Sequence, residues 1–461
     1  MTNRATGLHP LKTLFIVFLA VTVFAAMSFS YSFAIDAGDP TTGDPTTGGD
    51  VGTVVEPDNP DDPDDPDNPD NPDNPDNPDD PDNPDNPDNP DDPDNPDDPD
   101  NPVDPVEPVE PVNPVEPDEP EEPEDPGLVE ASGRKDNSDI HSFEAAMASS
   151  NVITFEKGKT YYLKWPMHMV SGKTINATGA TIVCEKNVLD QQTFRKGGYE
   201  NIKNVTINGG TWKYKSSKGF GKTSFSFVHG QNIKMKNMTI QHASYDGHAF
   251  EFVACKNVLM DNVKIIPLGT KRKSEEAMVQ IDIATLATYP RLSEKKSLAN
   301  GATCKNVTIQ NCTISGNRAL ASGYSYKDKK YVNKCHQNIT IRNNTLTSWN
   351  AEGVFLANAQ SATITGNTII SKCKKKNENK SVGLHLLSVG KIKKATFVVK
   401  NNTIKGGKFA IRAWSDSKVR ITKVTMKQNK FYCKKGKKNA IGVNKKGVKK
   451  IKASKNKKYK W

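Results

Sequence analysis

The stretch NVTIQNCTI at residues 306–314 recurs, lightly rewritten, through the last two-thirds of the chain. NITIRNNTL follows at 338–346, ATITGNTI at 362–369 and VVKNNTI at 398–404, while NVTI, NMTI and NVKI stand upstream at 204–207, 237–240 and 262–265. Each unit alternates apolar and polar residues, breaks at Asn, and then takes one more short extended step. Alternation places successive side chains on opposite faces, so Val307, Ile309 and Ile314 are expected to point inward. Equivalent positions recur after 23 residues from Leu346 to Ile369 and after 25 from Ile240 to Ile265, too short for helix-pair repeats. No segment shows sustained 3.6-residue periodicity. The spacing predicts an all-β solenoid, a single-stranded parallel β-helix. The longer interval from Ile265 to Ile314 reads either as two coils or as one coil with an inserted loop.

Upstream of the repeats stand two blocks of different character. Residues 1–34 carry Arg4 and Lys12, an uncharged apolar stretch at 14–26, and the small-residue site Ser32-Phe33-Ala34. This is the pattern of a signal peptide, or of a signal anchor if cleavage does not occur. Residues 35–127 contain no aromatic residue, and from Pro57 to Pro126 every third residue is proline. Polyproline II has three residues per turn, so this Pro/Asp/Asn-rich block is expected to be a disordered, extended acidic stalk.

Charge divides sharply between the blocks. Residues 35–127 hold 35 Asp and Glu and no Lys or Arg, whereas 128–461 hold 61 Lys and Arg against 19 Asp and Glu, a net charge of +42 with His neutral. A basic folded domain ending in a Lys-rich segment suggests an anionic partner, either a polysaccharide or a cell-wall polymer. An exported chain without a nucleic-acid-binding motif points away from nucleic acid, and membrane contact is expected only if the signal segment stays uncleaved. The seven cysteines stand singly, which argues against a structural zinc site. Residues 141–150 read as an amphipathic helix carrying Phe143, Ala146 and Met147 on one face, suited to capping an open coil. Asn311, Asn343, Asn367 and Asn402 are expected to stack as a ladder within one turn, since Asn tolerates left-handed backbone.

This alternation with a helical cap resembles the pectin-lyase-like right-handed β-helix superfamily over roughly residues 140–461. The resemblance implies a right-handed solenoid whose strands preceding each repeat line a substrate groove. It does not imply one chemistry, because enzymes and non-catalytic surface proteins share the fold. The NTDG, DD, GHG and RIK set of the polygalacturonases is missing, and Asp246-Gly247-His248 matches only a fragment of it.

Within those groove strands Phe250, Phe252, Val279, Ile281, Leu384, Leu386, Ile411 and Ala413 take the inward positions. Glu251, Gln280, Asp282, Phe355, His385, Arg412 and Trp414 are left outward, with Asp246, His248, Glu275, Glu276 and Glu352 in the turns. Glu251 and Asp282 fall on neighbouring coils. Stacked directly, their carboxylates would be about 5 Å apart and suit a retaining glycosidase. Staggered by two residues, they approach the inverting range. Catalytic roles are thus expected for Glu251, Asp282, His385 and Arg412, and substrate contacts for His248, Gln280, Phe355 and Trp414. Ca2+ is a candidate cofactor at Asp246 and Glu276, or between Glu276 and the carboxylate pair. The resemblance to calcium-dependent lyases implies a basic side chain as proton acceptor, Arg412 or a groove lysine. His385 is chemically easier, because its pKa lies near neutrality. The expected protein is secreted or held at the cell surface, monomeric, and acts on an anionic polysaccharide as a lyase or glycoside hydrolase. The alternative is a non-catalytic adhesin or polysaccharide binder.

Overall fold

The structure, a computed structural model, describes residues 125–461 except 133, 135, 137, 185–188, 191–201, 215–222, 243–246, 268–274, 324–328, 374–379, 393 and 416–420. The expected export signal and nearly all of the acidic stalk, residues 1–124, lie outside the described residues.

Three parallel sheets wind round one core. A twelve-stranded sheet runs from Leu128–Val129 to Val448–Ser454, an eleven-stranded sheet from Thr160–Leu163 to Lys457–Lys460, and a ten-stranded sheet from Met167–His168 to Ile441–Val443. Among the described residues the strand pairings are parallel and join one coil to the next, as in Val307↔Ile339 and Ile309↔Ile341. Ile265 pairs directly with Ile314, so that interval is a single coil with an insertion, and Pro290–Leu298 forms a 3-10 segment inside it.

The alternation works as expected. Val307, Ile309 and Ile314 are fully buried, and the Thr and Gln residues between them are partly exposed. Aromatic rings stack through the N-terminal coils, with Phe225 on Phe250 at 4.9 Å and Phe227 on Phe252 at 5.9 Å. A helix at Ser138–Ser149 covers the first coils through Ile140, Phe143, Ala146 and Met147, all buried. Its Asp139 is buried as well, and its carboxylate accepts the backbone N–H groups of Ser132 at 2.8 Å and Tyr162 at 2.7 Å. The cap thereby satisfies donors at the solenoid's open end.

The asparagine ladder is real, but its membership differs from the expected one. Asn344, Asn367, Asn402, Asn429 and Asn456 form the interior column. Each of the first four donates its side-chain amide to the next side-chain carbonyl at 2.8–3.0 Å. Asn311 and Asn343 stand one residue earlier, with φ of 55° and 56°, and are exposed. In an Asn-Asn pair the first residue makes the left-handed turn and the second enters the core. A second ladder, exposed, runs through Asn204, Asn232, Asn257, Asn306 and Asn338, whose side-chain amides bond at 2.8–3.0 Å. All five are left-handed. The recurring Asn residues of the repeat are therefore scaffold.

Candidate functional site

The ten-stranded sheet presents one face to the core and one outward. Its register aligns an outward column: Ser226, Glu251, Gln280, Ala321, Phe355, His385 and Arg412, one residue from each successive rung. The rung supplying Ala321, Arg318–Ser322, is not visible as a strand in the sequence, because RALAS contains no β-branched or aromatic residue to mark it. That strand adds Arg318 to the site.

Two clusters form along this face. In the first, Glu251, Gln280 and Asp282 are only 5%, 8% and 4% exposed. Glu251 pairs in register with Gln280, and Asp282 pairs with Val253. The carboxylates are therefore offset by two residues across adjacent rungs, a diagonal of about 8 Å between backbone positions. Direct stacking, the spacing that would suit a retaining pair, is not what the register gives. Thr223 Oγ1 donates to Glu251 Oε2 at 3.1 Å, and Gln280 Nε2 donates to Asp282 Oδ1 at 2.7 Å. Gly323 leaves the room that Asp282 occupies, since a Cβ there would stand 2.0 Å from Asp282 Oδ1. Tyr289, from the inserted segment, reaches Ser226 at 2.8 Å beside the pair.

Burial disfavours charge on both acids. It lifts Glu251 to about 7 against the pull of His248, and Asp282 to about 6 against the hydrogen bond from Gln280. His248 Nδ1 lies 2.6 Å from the Ala277 carbonyl and Nε2 lies 3.4 Å from Glu276 Oε2. Burial opposes charge on this ring, but Glu276, Glu251 and Asp282 together outweigh it and raise its pKa above the ordinary value. Two neighbouring carboxyls, both raised by burial toward neutrality, are suited to general acid–base chemistry.

The second cluster lies along the same column. Arg318, Glu352 and His385 are all buried. Arg318 Nη2 and Nε meet Glu352 Oε2 at 2.7 and 3.1 Å, and Arg318 Nη1 donates to the Glu275 carbonyl at 2.9 Å. Lys380 Nζ pairs with Glu275 Oε1 at 2.6 Å. Glu352 Oε1 lies 3.2 Å from His385 Nδ1. Burial alone would raise the Glu352 carboxyl, yet Arg318 and His385 hold it down at about 2. His385 is lowered from its ordinary value, by burial first, with Arg412 and Arg318 adding to the effect. Its ring packs 5.1 Å from Phe355, which Arg318 covers at 5.3 Å, and Arg412 stacks on Trp414 at 4.5 Å.

The candidate residues therefore do not form one constellation. Glu251, Gln280, Asp282, His248 and Glu276 gather at one end, and His385, Arg412, Phe355 and Trp414 at the other. Four rungs separate Glu251 from His385, about 19 Å along the stack. Asp246 lies outside the described residues. Among the described residues no group of three His, Cys, Asp or Glu side chains is arranged to hold a metal, and Glu276 faces His248. The sequence reading missed Arg318 and the contributions of Thr223 and Tyr289.

His229 and His336 serve the coils. His229 Nε2 meets the Leu298 carbonyl at 2.9 Å; His336 accepts the Cys304 N–H at 3.2 Å and contacts the Gly323 carbonyl at 2.8 Å. A separate concavity of about 630 Å³ on the twelve-stranded sheet is lined by Asn204, Asn232, Asn257, Asn306, Thr308 and Arg342. Its asparagine amides already bond one another, and it contains no acid or imidazole. The chemistry concentrates on the ten-stranded sheet.

Three all-parallel sheets wound round one core give the chain the fold of the right-handed parallel β-helix proteins. A family model described as "Right handed beta helix region" matches residues 330–446. Plasmin and fibronectin-binding protein A of Streptococcus pneumoniae (strain ATCC BAA-255 / R6) is 28% identical over 162 residues, covering 33% of this chain and only 22% of that relative's length. The solved structure of the S. pneumoniae surface protein and adhesin PfbA aligns with a TM-score of 0.52 at 18% identity, covering 72% of this chain and 98% of that one. The A-module of the Azotobacter vinelandii mannuronan C-5 epimerase AlgE6 aligns with a TM-score of 0.41 at 13% identity, over 71% and 97% of the two chains. Among the described residues no helix is long and apolar enough to cross a membrane.

Proposed function

We propose that this chain is an exported, cell-surface or secreted glycoside hydrolase of an anionic polysaccharide, with Glu251 as proton donor and Asp282 as the base that activates water. The observation that carries the reading is the pair of buried outward carboxyls on adjacent rungs, offset by two residues and set in different hydrogen-bonding surroundings. In the reaction Glu251 gives its proton to the glycosidic oxygen as the bond from the anomeric carbon to that oxygen breaks. Asp282 takes a proton from the water that attacks the anomeric carbon from the opposite face. The two-residue offset leaves room for that water, which favours inversion. Gln280 orients Asp282, and His248 with Glu276 sets the charge around the pair. The excess of 61 basic over 19 acidic residues in 128–461 supports a polyanionic substrate.

The test incubates the full chain with uronate-containing and neutral glycans, with EDTA or with added Ca2+, and follows reducing ends and unsaturated products. Release of saturated reducing ends that falls at least a hundredfold in Glu251→Gln and Asp282→Asn supports the reading. Unsaturated ends mark a lyase instead. A second reading, a non-catalytic surface adhesin, is favoured by the sequence match to a plasmin- and fibronectin-binding protein. It predicts salt-sensitive binding with no new ends on any glycan.

A further inference from the structure

The positive charge of residues 128–461 is not evenly spread. Residues 421–461 hold 16 Lys and no Arg, Asp or Glu, and Asp416 is the single acid in 381–461. The strand register shows that the scaffold does not ask for these lysines. On the eleven-stranded sheet one outward column runs through Thr313, Thr345, Thr368 and Thr403, then changes to Lys430 and Lys457. On the twelve-stranded sheet Ser361 and Thr396 are followed in one column by Lys423 and Lys450. Threonine suits a strand better than lysine does. Successive rungs lie about 4.8 Å apart, and like charges stacked directly oppose pairing. These rungs thus carry charge against the interest of the fold, at positions where earlier rungs carry none.

The two sheets present these columns as one continuous face. Gln428 and Asn429 alone separate Lys427, which ends a strand of the twelve-stranded sheet, from Lys430, which starts a strand of the eleven-stranded one. Lys427, Lys430, Lys450, Lys452 and Lys457 are exposed, and Lys423 is partly so.

Chemistry selects the partner. The rings in this region are engaged by one another and by ammonium groups. Tyr432 stacks on Tyr459 at 4.6 Å and takes the Lys405 Nζ at 5.2 Å, while Trp461 takes the Lys434 Nζ at 4.7 Å. That is a poor platform for sugar rings or bases. Residues 421–461 offer no carboxylate to accept from the hydroxyls that a uronate carries beside its acid. Their cations are all lysine, a compact point charge suited to phosphate, and none is the planar arginine fork that grips a carboxylate bidentately. A flexible chain of tetrahedral anions without rings fits this face best.

We infer that the lysine face built on Lys423, Lys427, Lys430, Lys450, Lys452 and Lys457 is a docking surface for a linear polyol-phosphate polymer. The contact is ionic and releases counterions; no bond is made or broken. Glu251 and Asp282 stand on the other sheet, so the inference does not depend on the hydrolase reading.

The test titrates the full chain with poly(glycerol phosphate), oligogalacturonate and a single-stranded oligodeoxynucleotide of matched charge, by calorimetry at 50 and 300 mM NaCl. Poly(glycerol phosphate) should bind at least threefold tighter than either competitor and lose about thirtyfold or more between the two salt concentrations. Replacing the six lysines together by Gln should weaken it at least thirtyfold. A control replaces Lys157, Lys203, Lys234, Lys256, Lys264 and Lys305 by Gln, the same change in net charge on other coils, and should shift affinity less than threefold. Two triple variants, at Lys423, Lys450 and Lys452 and at Lys427, Lys430 and Lys457, should each lose about fivefold with the circular dichroism of wild type. Equal losses in face and control variants leave only net charge and overturn the assignment. So do absent or salt-insensitive binding of poly(glycerol phosphate), triple variants that bind as wild type, or equal or tighter binding of either competitor. Failure to cleave any glycan would sink the hydrolase reading while leaving this one standing.

Discussion

Glu352→Gln gives the sharpest account of how the face is held together. The substitution keeps the side chain's shape and removes its charge from between Arg318 and His385. Glu352 is held at about 2 against an ordinary 4.5, a difference that amounts to about 3 kcal/mol of native-state preference for the ionised form. Breaking a buried ion pair by neutralising one partner independently costs about 3–5 kcal/mol. Glu275 Oε2, 4.0 Å from Arg318, recovers part of that, so a loss near 3 kcal/mol at pH 7 is expected. The sign with pH follows from the lowered pKa. The contribution is complete above about 4.5 and is lost progressively as pH falls toward 2, so the gap between wild type and variant should narrow below pH 4.5 and close near pH 2. Because long solenoids unfold coil by coil, the assay is amide hydrogen exchange of the Arg318–Ser322 and Val354–Ala357 rungs rather than one global midpoint. Protection there unchanged within about 0.5 kcal/mol at pH 7, or a deficit that persists at low pH, refutes the reasoning.

Other outcomes follow from the same structure. Asn402→Leu removes an amide that donates to the Ile364 and Lys400 carbonyls and to Asn429, and strands Asn367, which donated to it; a loss of about 2–4 kcal/mol is expected in local exchange, while the exposed Asn306→Ser should cost under about 1. Gly323→Ala thrusts a methyl into Asp282 and should cost about 1–3 kcal/mol while abolishing turnover, with thermal unfolding and reducing-end assays as the two readouts. Glu251 and Asp282, raised to about 7 and about 6, stabilise the fold fully below their ordinary values of 4.5 and 3.8 and lose that contribution as pH rises through 6 to 7. Glu251→Gln should therefore gain stability relative to wild type between pH 5 and pH 8, as measured by denaturation. Cys255 and Cys304 are buried and their thiols pushed up by burial, so both should resist a thiol reagent until the solenoid opens.

Much of the architecture is legible in the repeat, because inward Val and Ile at period two leave no other face to bury. The Asn ladder was only half legible: alternation marks the turn, but which Asn of a pair enters the core depends on φ, not on residue type. Arg318–Ser322 hides because its residues, Arg-Ala-Leu-Ala-Ser, lack the β-branched and aromatic types that mark the neighbouring rungs. Glu251 and Asp282 stand out as acids at outward positions in a basic domain. Their offset does not, since the spacing along the chain leaves the register of the two rungs open until they pair. Glu352 and His385 are 33 residues apart and meet only because two rungs stack. Sequence spacing carries no trace of that contact.

The central claim is that the offset carboxyl pair performs hydrolysis, and the anomeric configuration of the first product tests it most directly. Proton NMR of the full chain acting on its best substrate, read before mutarotation, should show the configuration opposite to that of the cleaved bond, with no signal from Glu251→Gln. Product of retained configuration, or undiminished product from the variant, would contradict it.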